Sequence, residues 1–329
     1  MMADKYLVLK ASGGGGLGDS IKALLVAATY ASLSNRVLVV DWNGGVYQQG
    51  DNNALDHLFR LTNLRTQKAL PEPSSIYPES WFGRLSKSLH DVYTLDGWET
   101  WQRAKVIDRY SFDLSKLDYT YDVLVMWEFD QVGKLSEHIT GAESPNDVYS
   151  YACKQFLRYS DSFQKALEQN LARFNSLTVG VHVRSTKEFA ENKGQLALNH
   201  YIKTVDRALK KSNQKALFLA TDNQEVQRLF EERYPSVYSL DKWFAEPGEP
   251  LHLNKQCPNQ LSNVSDALMD IVMLSYCPSI VITPYSSFSE MAEIFAKARD
   301  NNVVILNPKP VRVLSKMKRL FKLKQLFSI

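Results

Sequence analysis

No two cysteines stand close together in this sequence, and there are only three, Cys153, Cys257 and Cys277. They are odd in number and form no CxxC pair, so neither a disulfide framework nor a thiolate zinc site is suggested, and a reducing compartment fits best. HExxH, GxxxxGK[ST] and GxSxG are all missing, as is any close His/Cys cluster, so zinc-hydrolase, ATP-driven and serine-hydrolase chemistries lack their parts. There is no D-x-D either, the carboxylate pair that commonly holds a divalent cation on a diphosphate. No uninterrupted apolar run approaches the ~20 residues of a membrane helix. The start, MMADKYLVLK, carries no basic segment with a long apolar run behind it, so no signal peptide and a cytoplasmic location are expected. A formal charge of +3 is too small to argue for a nucleic-acid partner.

What is present is 329 residues, 44% of them apolar, enough for two ordinary cores. Strand and helix patterns alternate. Residues 6–10 read as a strand, 20–34 as a helix and 36–41 as a buried strand. ALPEPSSIYPESWFG (69–83), rich in proline and serine, reads as a loop or excursion and not as a core element. YDVLVMWEF (121–129) reads as a buried strand and 148–174 as two helices. A second series follows: SLTVGVHVR, KALFLATD, PSIVITP and NVVILN as strands, separated by amphipathic helical patterns. Such alternation predicts an α/β fold of parallel sheets, here two Rossmann-like domains facing a cleft, with ligands at the carboxyl ends of the strands. The expected division is 1–165, an N-terminal domain with an irregular insertion, and 166–310, a C-terminal one. A basic amphipathic helix is expected over 311–329, its 311–327 stretch able to pack on the body or to touch an anionic membrane surface.

GGGGLG (13–18) lies between the first strand and helix, and Asp41 ends the next strand. Read literally, Gly13, Gly15 and Gly18 form the dinucleotide fingerprint, with Asp41 for a ribose. The second half argues against NAD. GVHVRST puts His182 and Arg184 two apart at a strand end, hence on one face. A cation there needs an anion, and the guanidinium fork suits a diphosphate. Asp222 ends the next strand, placed either to cap the following helix, as is Thr221, or to hold a hydroxyl or orient Arg184. Asp266 and Asp270 share one face of an otherwise apolar helix. TPYSSFSE opens a helix, where Ser286 and Ser287 could cap it, with Glu290 completing a capping box from Ser287, or clasp a phosphate.

With these residues in view, GLGDSIKALLVAATYASLSNRVLVVDWNGGVY (16–47) resembles the opening of the rhizobial nodulation-factor fucosyltransferases. GVHVRST, LATDN and LMDIVMLS…TPYSS resemble three motifs that those enzymes share with animal α1,6- and protein O-fucosyltransferases. The resemblance implies two Rossmann-like domains in a GT-B-like pair, and transfer of fucose from GDP-β-L-fucose with inversion and without a metal or other cofactor. It implies that His182 and Arg184 bind the diphosphate, that Asp270 contacts guanine or ribose, and that Ser286 and Ser287 hold a phosphate. Gly16 and Gly18 would line the cleft from the other domain. Glu191 is the first choice of general base and Glu188 the second, with Asp19 as an outsider. The expected acceptor is an oligosaccharide or glycolipid of a bacterial polysaccharide pathway. Two rivals remain: an NAD-dependent oxidoreductase using Gly13–Gly18, and a catalytically silent nucleotide- or glycan-binding protein on the same scaffold.

Overall fold

The computed structural model describes residues 4–11, 15–43, 48–49, 52–98, 109–172, 179–185, 198–212, 216–246, 249 and 256–308. In chain order the first half runs β1 (Tyr6–Lys10), α1 (Leu17–Leu33), β2 (Val37–Asp41), β3 (Gln48–Gln49), β4 (Asn52–Asn53), α2 (Ala54–Leu58), β5 (Phe59–Leu61) and β6 (Ile76–Tyr77). It continues with α3 (Leu89–Leu95), β7 (Val123–Met126), α4 (Pro145–Phe156), β8 (Leu157–Tyr159) and α5 (Asp161–Leu171). The second half comprises β9 (Val179–Val183), α6 (Leu198–Ser212), β10 (Leu217–Thr221), α7 (Gln224–Arg233) and β11 (Val237–Tyr238). It ends with α8 (Gln260–Tyr276), β12 (Ser279–Val281), α9 (Ser287–Ala298) and β13 (Val304–Leu306).

Two parallel sheets result, as the alternation of strand and helix predicts. One has the order β2-β1-β7-β6, the other β11-β10-β9-β12-β13. In the second sheet β9 is flanked by β10 on one side and β12 on the other, so the connections reverse direction there. The carboxyl ends beside such a reversal form the natural crevice for a ligand.

Period-two side chains sort the strands between cores. Leu7 and Leu9 enter one buried cluster while Val8 enters another; Phe218 and Ala220 point oppositely to Leu217 and Leu219. The largest cluster takes one face of each sheet together with α1, α4, α8 and α9. Helix α1 is made largely of Ala, Leu and Val and is buried almost all round, as a helix between two layers must be. The proline-rich stretch departs from its loop reading. Ile76 and Tyr77 pair with Val123 and Leu124 at the edge of the first sheet, and Trp81 is fully buried. Its prolines flank a strand too short to show any alternation.

Helices α1 and α9 meet at their first turns. Gly18 lies so close to Ser287 that a Cβ would sit 2.6 Å from the Ser287 carbonyl carbon and 2.7 Å from its oxygen. Both atoms are backbone, so neither can swing aside. Lys22, one turn further along α1, pairs with Glu290 of α9. The packing predicts that Gly18→Ala forces the two helices apart and lowers stability by roughly 1–3 kcal/mol. Gly16→Ala, with nothing within 4 Å of the added methyl, lowers it much less. Urea unfolding midpoints of the two variants check this, and equal midpoints contradict it.

Candidate functional site

The carboxyl ends of β9 and β10 open onto a cavity that Gly16, the N-cap of α1, and Leu17 also line. Its wall includes His182, Arg184, Asp222, Lys242, Asp266, Asp270 and Phe288. The structure thus brings together seven residues singled out from the sequence, Gly16, His182, Arg184, Thr221, Asp222, Asp266 and Asp270. Gly18 does not line the cavity, because its missing side chain makes room for Ser287. Glu188 and Glu191 lie outside the described residues, as do Gly13 and the 311–329 stretch.

Thr283, two residues past β12, holds the end of β9 in place. Its hydroxyl donates to the His182 carbonyl (2.8 Å) and accepts from the Arg184 N–H (3.1 Å). The Tyr201 hydroxyl reaches the same oxygen at 3.0 Å. One buried side chain therefore extends the ladder past the last backbone pair and aims Arg184. His182 is buried, stacks on Phe288 at 4.6 Å, and joins its Nδ1 to Ser289 Oγ at 2.7 Å. Burial, reinforced by the Arg184 and Lys242 charges, pushes its pKa down to about 3. The ring is neutral near pH 7 and serves as a hydrogen-bonding group.

The carboxylates divide by surroundings. Asp222 does not cap α7; Asn223 does, accepting from the N–H groups of Glu225 and Val226. Neither Thr221 nor Asp222 is needed there, because Asn223 stands one residue nearer the helix and reaches both N–H groups. Asp222 instead accepts from the Ser185 N–H at 2.9 Å. Burial raises its pKa against the pull of that bond and of Arg184 and Lys242. Asp270 sits in the middle of α8 at 1% exposure. Its Oδ2 pairs with Lys242, whereas Oδ1 is buried with no hydrogen-bond partner among the described residues. An acceptor left open in a dry wall is costly unless a ligand donor meets it. Burial also raises the Asp270 pKa, with Lys242 opposing. Lys242 is the residue that the sequence reading missed. It follows the two-residue β11 in a loop, and its only signal is its place after a strand of the same sheet.

The two helix N-termini at the cavity are open. Gly16 is the N-cap of α1 and Ser286 that of α9, and neither makes a side-chain cap bond. The capping box expected of Ser287 and Glu290 is not formed. Ser287 bonds to Asp19 and Glu290 turns to Lys22, because the approach of α1 offers each a partner across the helix contact. Unsatisfied N–H groups and the positive ends of two dipoles therefore converge beside Arg184, an arrangement that attracts an anion. Asp19, half-buried in the first turn of α1, has its pKa raised by burial, with the Ser287 bond, Lys22 and Arg184 opposing. Asp41, the acid of the dinucleotide fingerprint, is engaged elsewhere. Its Oδ2 pairs with buried Lys10 and its Oδ1 accepts from the Asn43 N–H at 3.2 Å.

Among the described residues no group of three or more His, Cys, Asp or Glu side chains is arranged to hold a metal ion. No helix among them is long and apolar enough to cross a membrane.

No protein-family model matches the chain. Over 310 residues it is 24% identical to nodulation protein Z of Azorhizobium caulinodans, covering 86% of this chain and 87% of that protein. Its fold matches the crystal structure of NodZ α1,6-fucosyltransferase soaked with GDP-fucose, with a TM-score of 0.62 at 19% identity over 89% of this chain and 93% of the other. A mutant of Arabidopsis thaliana FUT1 in complex with GDP matches with a TM-score of 0.57 at 14% identity, over 93% of this chain and 70% of the other. The family resemblance and the GT-B-like α/β fold read from the sequence are borne out.

Asp266 gives the site a pH signature. Burial, then the neighbouring Asp270, push its pKa up to about 6, from about 3.9 in an unfolded chain. A carboxyl held above its unfolded pKa costs no stability while protonated in both states. The loss grows as pH rises from about 4 to about 6 and is complete above that. Asp266→Asn removes this term, so its melting temperature should gain on the wild type as pH rises through that interval. A constant difference between pH 4 and 7 contradicts the assignment.

Proposed function

We propose that this chain, which stands with the NodZ-like fucosyltransferases in sequence and fold, transfers L-fucose from GDP-β-L-fucose to a glycan hydroxyl. Inversion at the anomeric carbon and independence of a metal ion are part of the proposal. So is the division of labour between residues 1–165, on the acceptor side, and 166–310, which hold the donor. The observation that carries it is the convergence of Arg184, Lys242 and two uncapped helix N-termini on one cavity. That is a site built for an anion with several negative oxygens.

Arg184 meets the diphosphate of GDP as a fork, and the N–H groups of the first turn of α9 face the same anion. Charge building on the departing phosphate is stabilised there as the sugar carbon becomes oxocarbenium-like. Neutral His182 adds a hydrogen bond. The hydroxyls of Ser286 and Ser287 have other surroundings, the adjoining cleft and Asp19 respectively, so the two serines contribute through their backbone. Open Asp270 Oδ1 accepts from guanine or ribose. A carboxylate takes the acceptor proton: Glu191 first, Glu188 second. Asp19 is a third candidate, favoured by its raised pKa and its nearness to Arg184, since a base works best with a pKa close to ambient pH. An NAD site fits less well, because Asp41 is already satisfied and Gly18 is filled by Ser287.

Melting in the presence of GDP, GDP-fucose, UDP or NAD, each with and without EDTA, tests the donor. A ligand at 100 times its Kd adds about 2.7 kcal/mol of apparent stability. GDP and GDP-fucose should raise the melting temperature regardless of EDTA; a rise with NAD alone overturns the proposal. Arg184→Ala should abolish the GDP shift and slow transfer roughly 100-fold or more. Turnover of GDP-fucose separates an enzyme from a silent binding protein.

A further inference from the structure

A second, wider cleft adjoins the cavity across the first turn of α9. Phe129 after β7, Tyr149 of α4, Tyr285 and Ser286 at the start of α9, Glu293 within α9 and Asn307 after β13 line it. Ser289 joins the two spaces: it lines this cleft while its hydroxyl bonds His182 in the donor cavity.

Tyr285 is the anomalous residue. It has φ of +63°, a left-handed conformation that is costly for a bulky side chain and natural for glycine. Among the described residues the other non-glycine residues at positive φ are Asn35, Asn63 and Asp300, of the short polar type that tolerates it. Burial does not reward the strain, since Tyr285 is 66% exposed. The backbone is held where it presents a ring to the cleft, and such outliers collect at ligand sites. Ser286, next to it, is buried at 3% exposure. It lines the cleft, and its hydroxyl makes no cap bond.

We propose that this cleft seats the acceptor glycan, with one sugar stacked on Tyr285 and its hydroxyls met by Ser286, Glu293 and Asn307. The proposal rests on the fucosyl-transfer reading and extends it to the acceptor. Aromatic faces interleaved with hydroxyl, amide and carboxylate groups suit a sugar, which offers C–H faces and hydroxyl edges.

Saturation-transfer NMR tests it directly, with GDP present and a panel of neutral tetrasaccharides built from glucose, galactose, mannose and N-acetylglucosamine. At least one member should receive saturation from the wild type and from Tyr285→Phe. Tyr285→Ala should weaken that sugar about ten-fold or more. Tyr285→Gly, which relieves the backbone, should lose the sugar without any fall in melting temperature. Wild-type protein that binds no member of the panel, or Tyr285→Ala that binds as the wild type does, overturns the proposal. The GDP-induced rise in melting temperature should persist in all three variants. Its absence from the wild type counts against the donor reading alone, because the sugar signals are read separately.

Discussion

The contact on which the rest of the site depends is the one between Gly18 and Ser287. A helix from each half of the chain arrives there end-on, and only a residue without a side chain lets the backbones approach so closely. Because the ends meet, two sets of unsatisfied N–H groups point toward one space, and Gly16 forms part of its wall. Because they meet, Asp19 finds Ser287 and Lys22 finds Glu290. A glycine that looks like part of a cofactor loop is, in the folded chain, a joint between two layers.

Charge balance governs the cavity that this joint creates. Arg184 and Lys242 face Asp222, Asp266 and Asp270, in a wall that withdraws carboxylates from water. Burial is the largest influence on each of the three and raises each pKa. Lys242 neutralises one oxygen of Asp270 and leaves the other open. The positive side of the ledger, Arg184 and the helix ends, lies toward α9. The acidic side lies along α8. A nucleoside diphosphate is divided in the same way, with phosphate oxygens at one end and base or ribose donors at the other.

Some of this was legible in the sequence for a definite reason. GVHVR alternates every second residue, so His182 and Arg184 had to share a face, and the end of an apolar strand had to be where that face met solvent. The buried helix around Asp270 was equally plain, since a carboxylate in an apolar repeat has to find a partner. Its partner was not plain, because Lys242 sits in an irregular loop whose path no periodicity describes. Trp81 was hidden in the same way. Prolines on either side disguise a two-residue strand that brings it into the core. Asn223 took the capping place expected of Thr221 or Asp222, a displacement of one or two residues that exceeds what pattern alone resolves.

By itself the sequence determined two series of strands and helices, the parallel sheets they form, and the side of each strand that carries its polar residues. These follow from periodicity and turn chemistry, which act over a few neighbouring residues. Tertiary structure alone decided that α1 and α9 meet at their N-termini, that Asp41 is spent on Lys10, and that Lys242 reaches Asp270. Tertiary structure alone also set Tyr285, at positive φ, beside a cleft. Each of these depends on the distance between segments far apart in the chain. That distance is set by how two buried layers close-pack, a property of the whole core that no short stretch contains.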